Sequence, residues 1–248
     1  MNKVLIIGYG EIGKAFEKIC KECGYDVYFK DLKESRLPVG KIEVLHVCIP
    51  FKDYENFRIP IIENIKKYSP ELVVINSTVE IGTTSKLIND IKVKGVKTEI
   101  VYSPCRGVHP NLYDGIKKFI KYIGGSADAI ELAASHFETL GVDSKFMSCE
   151  EAEAAKLFST TYYGWNILFC KLVKEFCDMK KLDFDKVYTD WNKSYNKGYK
   201  ELGMENVVRP ILYPPENGIN GHCICENWKL LGKDEVVLTA LSDYLNKL

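Results

Sequence analysis

KVLIIGYGEIGKAFEKICKECGYDVYFKD, residues 3–31, decides the fold. It opens with an apolar run ending in glycine, the pattern of a strand covered on both faces of a parallel sheet. Gly8, Gly10 and Gly13 follow, with Glu11 and Ile12 between them opening a helix-like repeat, and a second strand-like run ends at Asp31. Strand, glycine turn, helix and strand make a βαβ unit of the kind that binds nucleotides. In that setting Gly8 permits the tight turn, Gly10 lets a pyrophosphate approach the backbone, and Gly13 lets helix and strand pack. The helix N-terminus stabilises the negative charge. Asp31 is spaced to accept hydrogen bonds from an adenosine ribose, which favours NAD over a 2′-phosphorylated cofactor. Neither feature identifies the reactive end of the cofactor, so S-adenosylmethionine remains the competing ligand.

Working outward, the apolar runs IEVLHVCIP (42–50), LVVINSTV (72–79) and TEIVYSP (98–104) alternate with more polar helical stretches. That succession predicts an α/β, Rossmann-like, doubly wound parallel sheet over residues 1–145. The pattern changes near Glu150. EEAEAAKLFSTTYYGWNILFCKLVKEFCDMKK (150–181) carries apolar residues at three-four spacing and predicts one long helix, bent near Gly164, that opens a smaller helical domain over 146–248. Its aromatics form a packing stripe suited to interdomain contact or to a homodimer. A Pro-Pro-Glu-Asn-Gly turn and a final helix in KDEVVLTALSDYLNKL complete the pattern.

The 248 residues carry 34 Lys+Arg against 34 Asp+Glu, so net charge offers no reason to expect nucleic acid or an anionic membrane as partner. The first residues enter a strand without a basic leader, and no apolar run reaches the ~20 residues of a membrane span. The expectation is a soluble, cytoplasmic protein. Nine cysteines form an odd set, many within apolar patterns, and read as core thiols rather than a disulfide framework. Cys20 and Cys23 lack a second CxxC, and His222, Cys223 and Cys225 are too crowded for a zinc tetrahedron, so no metal site is expected. His46 reads as a core histidine.

Four segments, in order, resemble the UDP-glucose and UDP-N-acetylmannosamine 6-dehydrogenase family: STVEIGTTSKL (77–87), SPCRGVHPNLYDGIKKFIKYIGG (103–125), EAEAAKLFSTTYYG (151–164) and PPENGINGHCI (214–224). The resemblance implies that Thr78 lies near the nicotinamide and substrate. It puts Lys156 on the family lysine that assists oxyanion or water chemistry, and Cys223 on the thiolate nucleophile. That family oxidises a sugar C6 alcohol twice, through an aldehyde, to a carboxylate. The resemblance therefore implies an NAD-dependent oxidoreductase acting on an alcohol or sugar-like substrate through a cysteine-linked aldehyde.

The sequence departs from the family pattern at Cys105, where a glutamate is usual, and at His109, where glucose dehydrogenases carry an acid. Thr160 replaces an asparagine and Asn227 an acidic residue. Full members continue into a further nucleotide-sugar-binding module, so the expected protein is a shortened member with a smaller substrate or a partner-completed site. Arg106, His109, Asn111, Thr160, Arg209, His222 and Asn227 are the candidate contacts to a polar or anionic substrate. Two rivals stay open: an S-adenosylmethionine-dependent methyltransferase on the same scaffold, and a non-catalytic nucleotide-binding protein.

Overall fold

Residues 2–93, 95, 97–107, 110–214 and 227–231 are described by the computed structural model. His109, His222, Cys223 and the expected final helix lie outside them. The chain divides into two compact units, Met1–Lys156 and Leu157–Leu248.

The first unit is built on an eight-stranded, mostly parallel, mixed sheet. Its elements run β1 (Lys3–Ile7), α1 (Glu11–Glu22), β2 (Asp26–Lys30), β3 (Ser35–Arg36), β4 (Val44–Val47), α2 (Tyr54–Tyr68), β5 (Leu72–Ile75) and α3 (Thr83–Lys92). They continue with β6 (Glu99–Tyr102), α4 (Leu112–Lys118), β7 (Lys121–Gly124), α5 (Ala127–Thr139), β8 (Ser144–Met147) and the start of α6 (Cys149–Lys180). The strand order is β3-β2-β1-β4-β5-β6-β7-β8. Strands β2, β1, β4, β5 and β6 pair in parallel, whereas β3 runs antiparallel to β2, and β7 meets β6 antiparallel through the single pair Tyr102 and Gly124. The Rossmann-like expectation holds for the central strands. The antiparallel edges are additions that the sequence reading did not include.

Strand residues alternate between two cores. Val4, Ile6, Val44, Leu72, Val74 and Val101 pack with Phe16 of α1, Ile116 of α4 and Phe137 of α5. Leu5, Ile7, Leu45, Val47, Val73 and Ile75 pack with Phe57 of α2, Leu87 of α3 and Ala152 of α6. Both faces are thus covered by helices, which is why the strands read as unbroken apolar runs. Each large side chain buried this way contributes about 1.5–3 kcal/mol. The chain leaves β1 towards β2 on one side and towards β4 on the other, so the strand order reverses at β1 and the turns after β1 and β4 diverge to opposite faces. A crevice at such a switch point is where open α/β sheets bind ligands.

The second unit contains the remainder of α6, a π-type turn at Asp185–Asp190 and α7 (Trp191–Glu201). The segment after α7 folds back on these helices. Asn196 accepts from the Arg209 N–H at 2.9 Å and donates to the Arg209 carbonyl at 2.8 Å, and Cys170 Sγ donates to the Leu212 carbonyl at 3.4 Å. The long helix expected from 150–181 is present as 32 residues. Along it Phe158, Tyr162, Phe169, Leu172, Phe176 and Met179 are exposed. Among the described residues, no helix is long and apolar enough to cross a membrane.

Candidate functional site

The glycine turn after β1 is shaped by what its glycines lack. Gly8 has φ +88°, and a Cβ there would sit 2.5 Å from the Cys48 carbonyl oxygen. A Cβ on Gly13 would fall 2.1 Å from the Gly8 carbonyl, so only glycine lets α1 press against the end of β1. Gly10 differs, because a Cβ there meets nothing within 4 Å. It is the N-cap of α1 and makes no side-chain cap, and Glu11 and Ile12 open the helix that follows it. Two walls and one open face are what a pyrophosphate cradle requires, so the turn fits an adenosine dinucleotide.

Asp31 stands beside that turn. Its carboxylate accepts from the Tyr9 N–H at 2.6 Å and the Leu32 N–H at 2.8 Å. The Tyr9 backbone bond holds its carboxyl below the usual carboxylate range, so it is ionised and able to accept from ribose hydroxyls. The Tyr9 ring stacks on Phe29 at 3.9 Å and its hydroxyl donates to Glu17; burial, helped by that carboxylate, pushes the phenol up to about 12. Arg36, the nearby guanidinium, pairs with Asp26 at 3.2 Å.

From this turn a row of contacts runs along the carboxyl ends of the strands. Beyond Gly8 and Cys48, the Ser77 hydroxyl donates to the Ile49 carbonyl at 2.6 Å, tying the turn after β5 to that after β4. Lys121 Nζ reaches Asn76 Oδ1 at 3.4 Å and the carbonyls of Ser103 and Pro104 at 2.7 and 3.1 Å. Lys156 Nζ donates to the next carbonyl, that of Cys105, at 2.7 Å. Asp31, Gly8, Gly10, Thr78 and Lys156 therefore all lie along one edge of the sheet, with Thr78 half-buried in the loop that follows Asn76 and Ser77. Cys105, where the family pattern has glutamate, is buried, and that burial pushes its thiol up although Lys121 and Lys156 oppose it.

Among the predicted substrate contacts, Arg106 is exposed next to Cys105, with its guanidinium 5.3 Å from the Phe119 ring centre and 5.5 Å from that of Tyr122. Asn111 is exposed at the start of α4 and makes no cap. Thr160, Asn227 and Arg209 belong to the second unit. Thr160 and Asn227 are brought together, the amide of Asn227 donating to the Thr160 hydroxyl at 3.4 Å. Arg209 stacks over Tyr195 at 3.7 Å. Sequence reasoning missed Asn76, Lys121 and Glu153, although Glu153 lies one helical turn before Lys156 and Asn76 directly precedes the Ser-Thr-Val motif.

Beneath the sheet, Cys20, His46 and His136 bring their ligand atoms within 4.8 Å of one another, all buried. Their hydrogen bonds close in one direction. Asn76 Oδ1 accepts from Lys121, so its Nδ2 faces His46 Nδ1 at 3.1 Å. His46 Nε2–H then donates to His136 Nε2 at 3.0 Å, and His136 Nδ1–H faces the Tyr25 hydroxyl at 3.2 Å. Burial keeps both imidazoles neutral, His46 well below its ordinary value and His136 down to about 4. An ion on His46 Nε2 would need the proton on Nδ1, where the Asn76 amide already donates. The cluster is a satisfied polar core, as the sequence implied for His46.

No family model matches the chain. It is 23% identical to UDP-N-acetyl-D-mannosamine dehydrogenase of Methanococcus aeolicus over 95% of its own length and 61% of that protein's. It is 26% identical to UDP-glucose 6-dehydrogenase of Campylobacter jejuni over 69% of its length, which is 41% of that enzyme. Among solved structures, UDP-D-ManNAc dehydrogenase from Pyrococcus horikoshii superposes with a TM-score of 0.80 at 18% identity, covering 99% of this chain and 68% of that one. The chain thus spans less than two thirds of the length of these curated relatives. In fold across nearly its whole length, and weakly in sequence, the chain is similar to UDP-sugar dehydrogenases.

Proposed function

We propose that the chain is an NAD-dependent oxidoreductase that acts on an alcohol of a small polar or sugar-like substrate. The observation that carries this reading is the glycine turn: Gly8 and Gly13 are closed by backbone, Gly10 opens to the approach, and an ionised Asp31 flanks it. Homology to UDP-N-acetyl-D-mannosamine and UDP-glucose dehydrogenases adds the reaction class.

When bound, NAD would take up the hydride from the alcohol carbon. The residues that would hold it are Gly8, Gly10, Glu11, Ile12 and Gly13 at the pyrophosphate, Asp31 at the ribose and Thr78 near the nicotinamide. Lys156 would stabilise the developing alkoxide and position water, its ammonium already fixed against the Cys105 carbonyl. Cys223, outside the described residues, would add as thiolate to the aldehyde. The thiohemiacetal would lose its hydride to a second molecule of NAD, leaving a thioester that water would cleave to the acid and the free thiol. Arg106, His109, Asn111, Thr160, Arg209, His222 and Asn227 remain the proposed substrate contacts. The exposed residues of α6 recur at four-three spacing, which suits pairing with the same helix of a second copy, so a homodimer forms part of this reading.

Native mass spectrometry with NAD and S-adenosylmethionine tests the cofactor, followed by nicotinamide reduction across UDP-sugars and smaller alcohols. Preferential NAD binding with turnover that Cys223→Ser abolishes supports the proposal. Preferential S-adenosylmethionine binding overturns it.

A further inference from the structure

The loop that carries Thr78 begins at Asn76 and ends at Gly82, and a buried charge grips each end. At the start, Lys121, only 2% exposed, gives its three Nζ donors to Asn76 Oδ1, the Ser103 carbonyl and the Pro104 carbonyl. At the end, Glu153, fully buried, accepts from the Gly82 N–H at 2.6 Å, the Thr84 N–H at 2.9 Å and the Thr84 hydroxyl at 2.6 Å. Those two N–H groups belong to the N-cap and the first turn of α3, so the carboxylate also sits on the positive end of that helix.

Neither charge meets an opposite charge among the described residues: Lys121 is compensated by its three oxygen acceptors and by the rings of Phe16 and Phe137, each 5.3 Å from Nζ, and Glu153 by its neutral donors. Removing an ion from water costs several kcal/mol, and the cost is offset only while those dipoles keep their places. The ammonium and the carboxylate therefore resist any movement of the chain on either side of Ser77–Ile81. The groups facing Lys121 are the thiols of Cys48 and Cys105, the ammonium of Lys156 and the imidazole of His46, while Glu150 faces Glu153. None of them takes over the role of the missing counter-ion.

We propose that Lys121 and Glu153 are positioning residues that hold the Thr78 loop in register with the nicotinamide end of the cofactor. This rests on the NAD reading above. They act through Asn76, Gly82 and Thr84 and need not touch a ligand themselves.

The test is calorimetric titration of the full chain and of its Lys121→Met, Lys121→Arg and Glu153→Gln variants with NAD and, separately, with ADP-ribose. ADP-ribose reaches the glycine turn and Asp31 but has no nicotinamide. Losing charge-assisted hydrogen bonds should weaken NAD by about tenfold in Lys121→Met and Glu153→Gln while ADP-ribose stays within about twofold, with Lys121→Arg restoring most of the NAD affinity. Should Lys121→Met fail to fold, Glu153→Gln and Lys121→Arg carry the same comparison. Equal weakening of both ligands, or no change in either, overturns the proposal. If the unmodified chain binds neither ligand, the NAD reading itself falls. Amide exchange across 77–84 in the same proteins then decides whether the loop is clamped: faster exchange in the variants supports the clamp, and unchanged exchange removes it.

Discussion

The turn after β1 and the loop after β5 lie along the same edge of one sheet but are held by opposite means. The first depends on side chains that are absent, with Gly8 and Gly13 letting backbone meet backbone. The second depends on side chains that are buried and polar: Lys121, Asn76, His46, His136 and Glu153. A contact made by backbone against backbone is indifferent to pH and fails through steric overlap. A contact made by buried dipoles and charges fails when one partner is removed or changes protonation state.

Breaking the first kind should have the largest effect. Gly13→Val forces a Cβ into the Gly8 carbonyl, and no side-chain adjustment relieves backbone against backbone. The expected loss is more than about 3 kcal/mol of stability, read as a collapse of the thermal transition at any pH. A variant that melts like the unmodified chain would show that the turn is not packed as described.

The second kind should show itself through acid. His136 titrates at about 4 in the folded chain against an ordinary 6.5, so the folded state binds fewer protons than the unfolded one. Its stabilisation is complete above pH 6.5 and is lost as pH falls towards about 4, by up to about 3 kcal/mol in total. Chemical denaturation across that window should have a slope that His136→Phe flattens. An equal slope in the variant would remove His136 as the cause.

Gly10→Ala sharpens the contrast within the turn itself. Because its Cβ meets nothing within 4 Å, the melting temperature should barely move, whereas affinity for NAD should fall by about tenfold or more as the methyl occupies the pyrophosphate approach. Stability lost with affinity unchanged would reverse the assignment. The smallest effect is expected at Asp31→Asn, where the half-buried side chain can keep accepting from the Tyr9 N–H through its amide oxygen but loses about 1 kcal/mol of ribose recognition. Titrations with NAD and with a ribose-modified analogue should differ less in the variant than in the parent.

The glycine turn was legible because its chemistry is local: three glycines, a buried strand on one side and an acid on the other all fall within 3–31. The alternation of the central strands was legible for the same reason. Lys121 was not, since a lysine inside IKYIGG reads as a solvated strand residue, and only the antiparallel return of β7 beside β6 buries it beneath the Ser103 and Pro104 carbonyls. Glu153 stands among Glu150 and Glu151 on α6, and nothing in that run of acids marks the one that turns inward to α3. His46 and His136 are 90 residues apart and meet only because α5 packs on the face of the sheet towards which His46 points. Thr160 and Asn227, expected separately as departures from the family pattern, prove to be hydrogen-bonded to each other.

Titrating the unmodified chain and Gly10→Ala with NAD, under identical buffer and salt, separates a cofactor cradle from a merely structural turn. The expected result is saturable one-site binding to the parent that the alanine weakens by about tenfold or more without lowering the melting temperature. Absence of NAD binding to a folded parent, or binding that Gly10→Ala leaves unchanged, would contradict it.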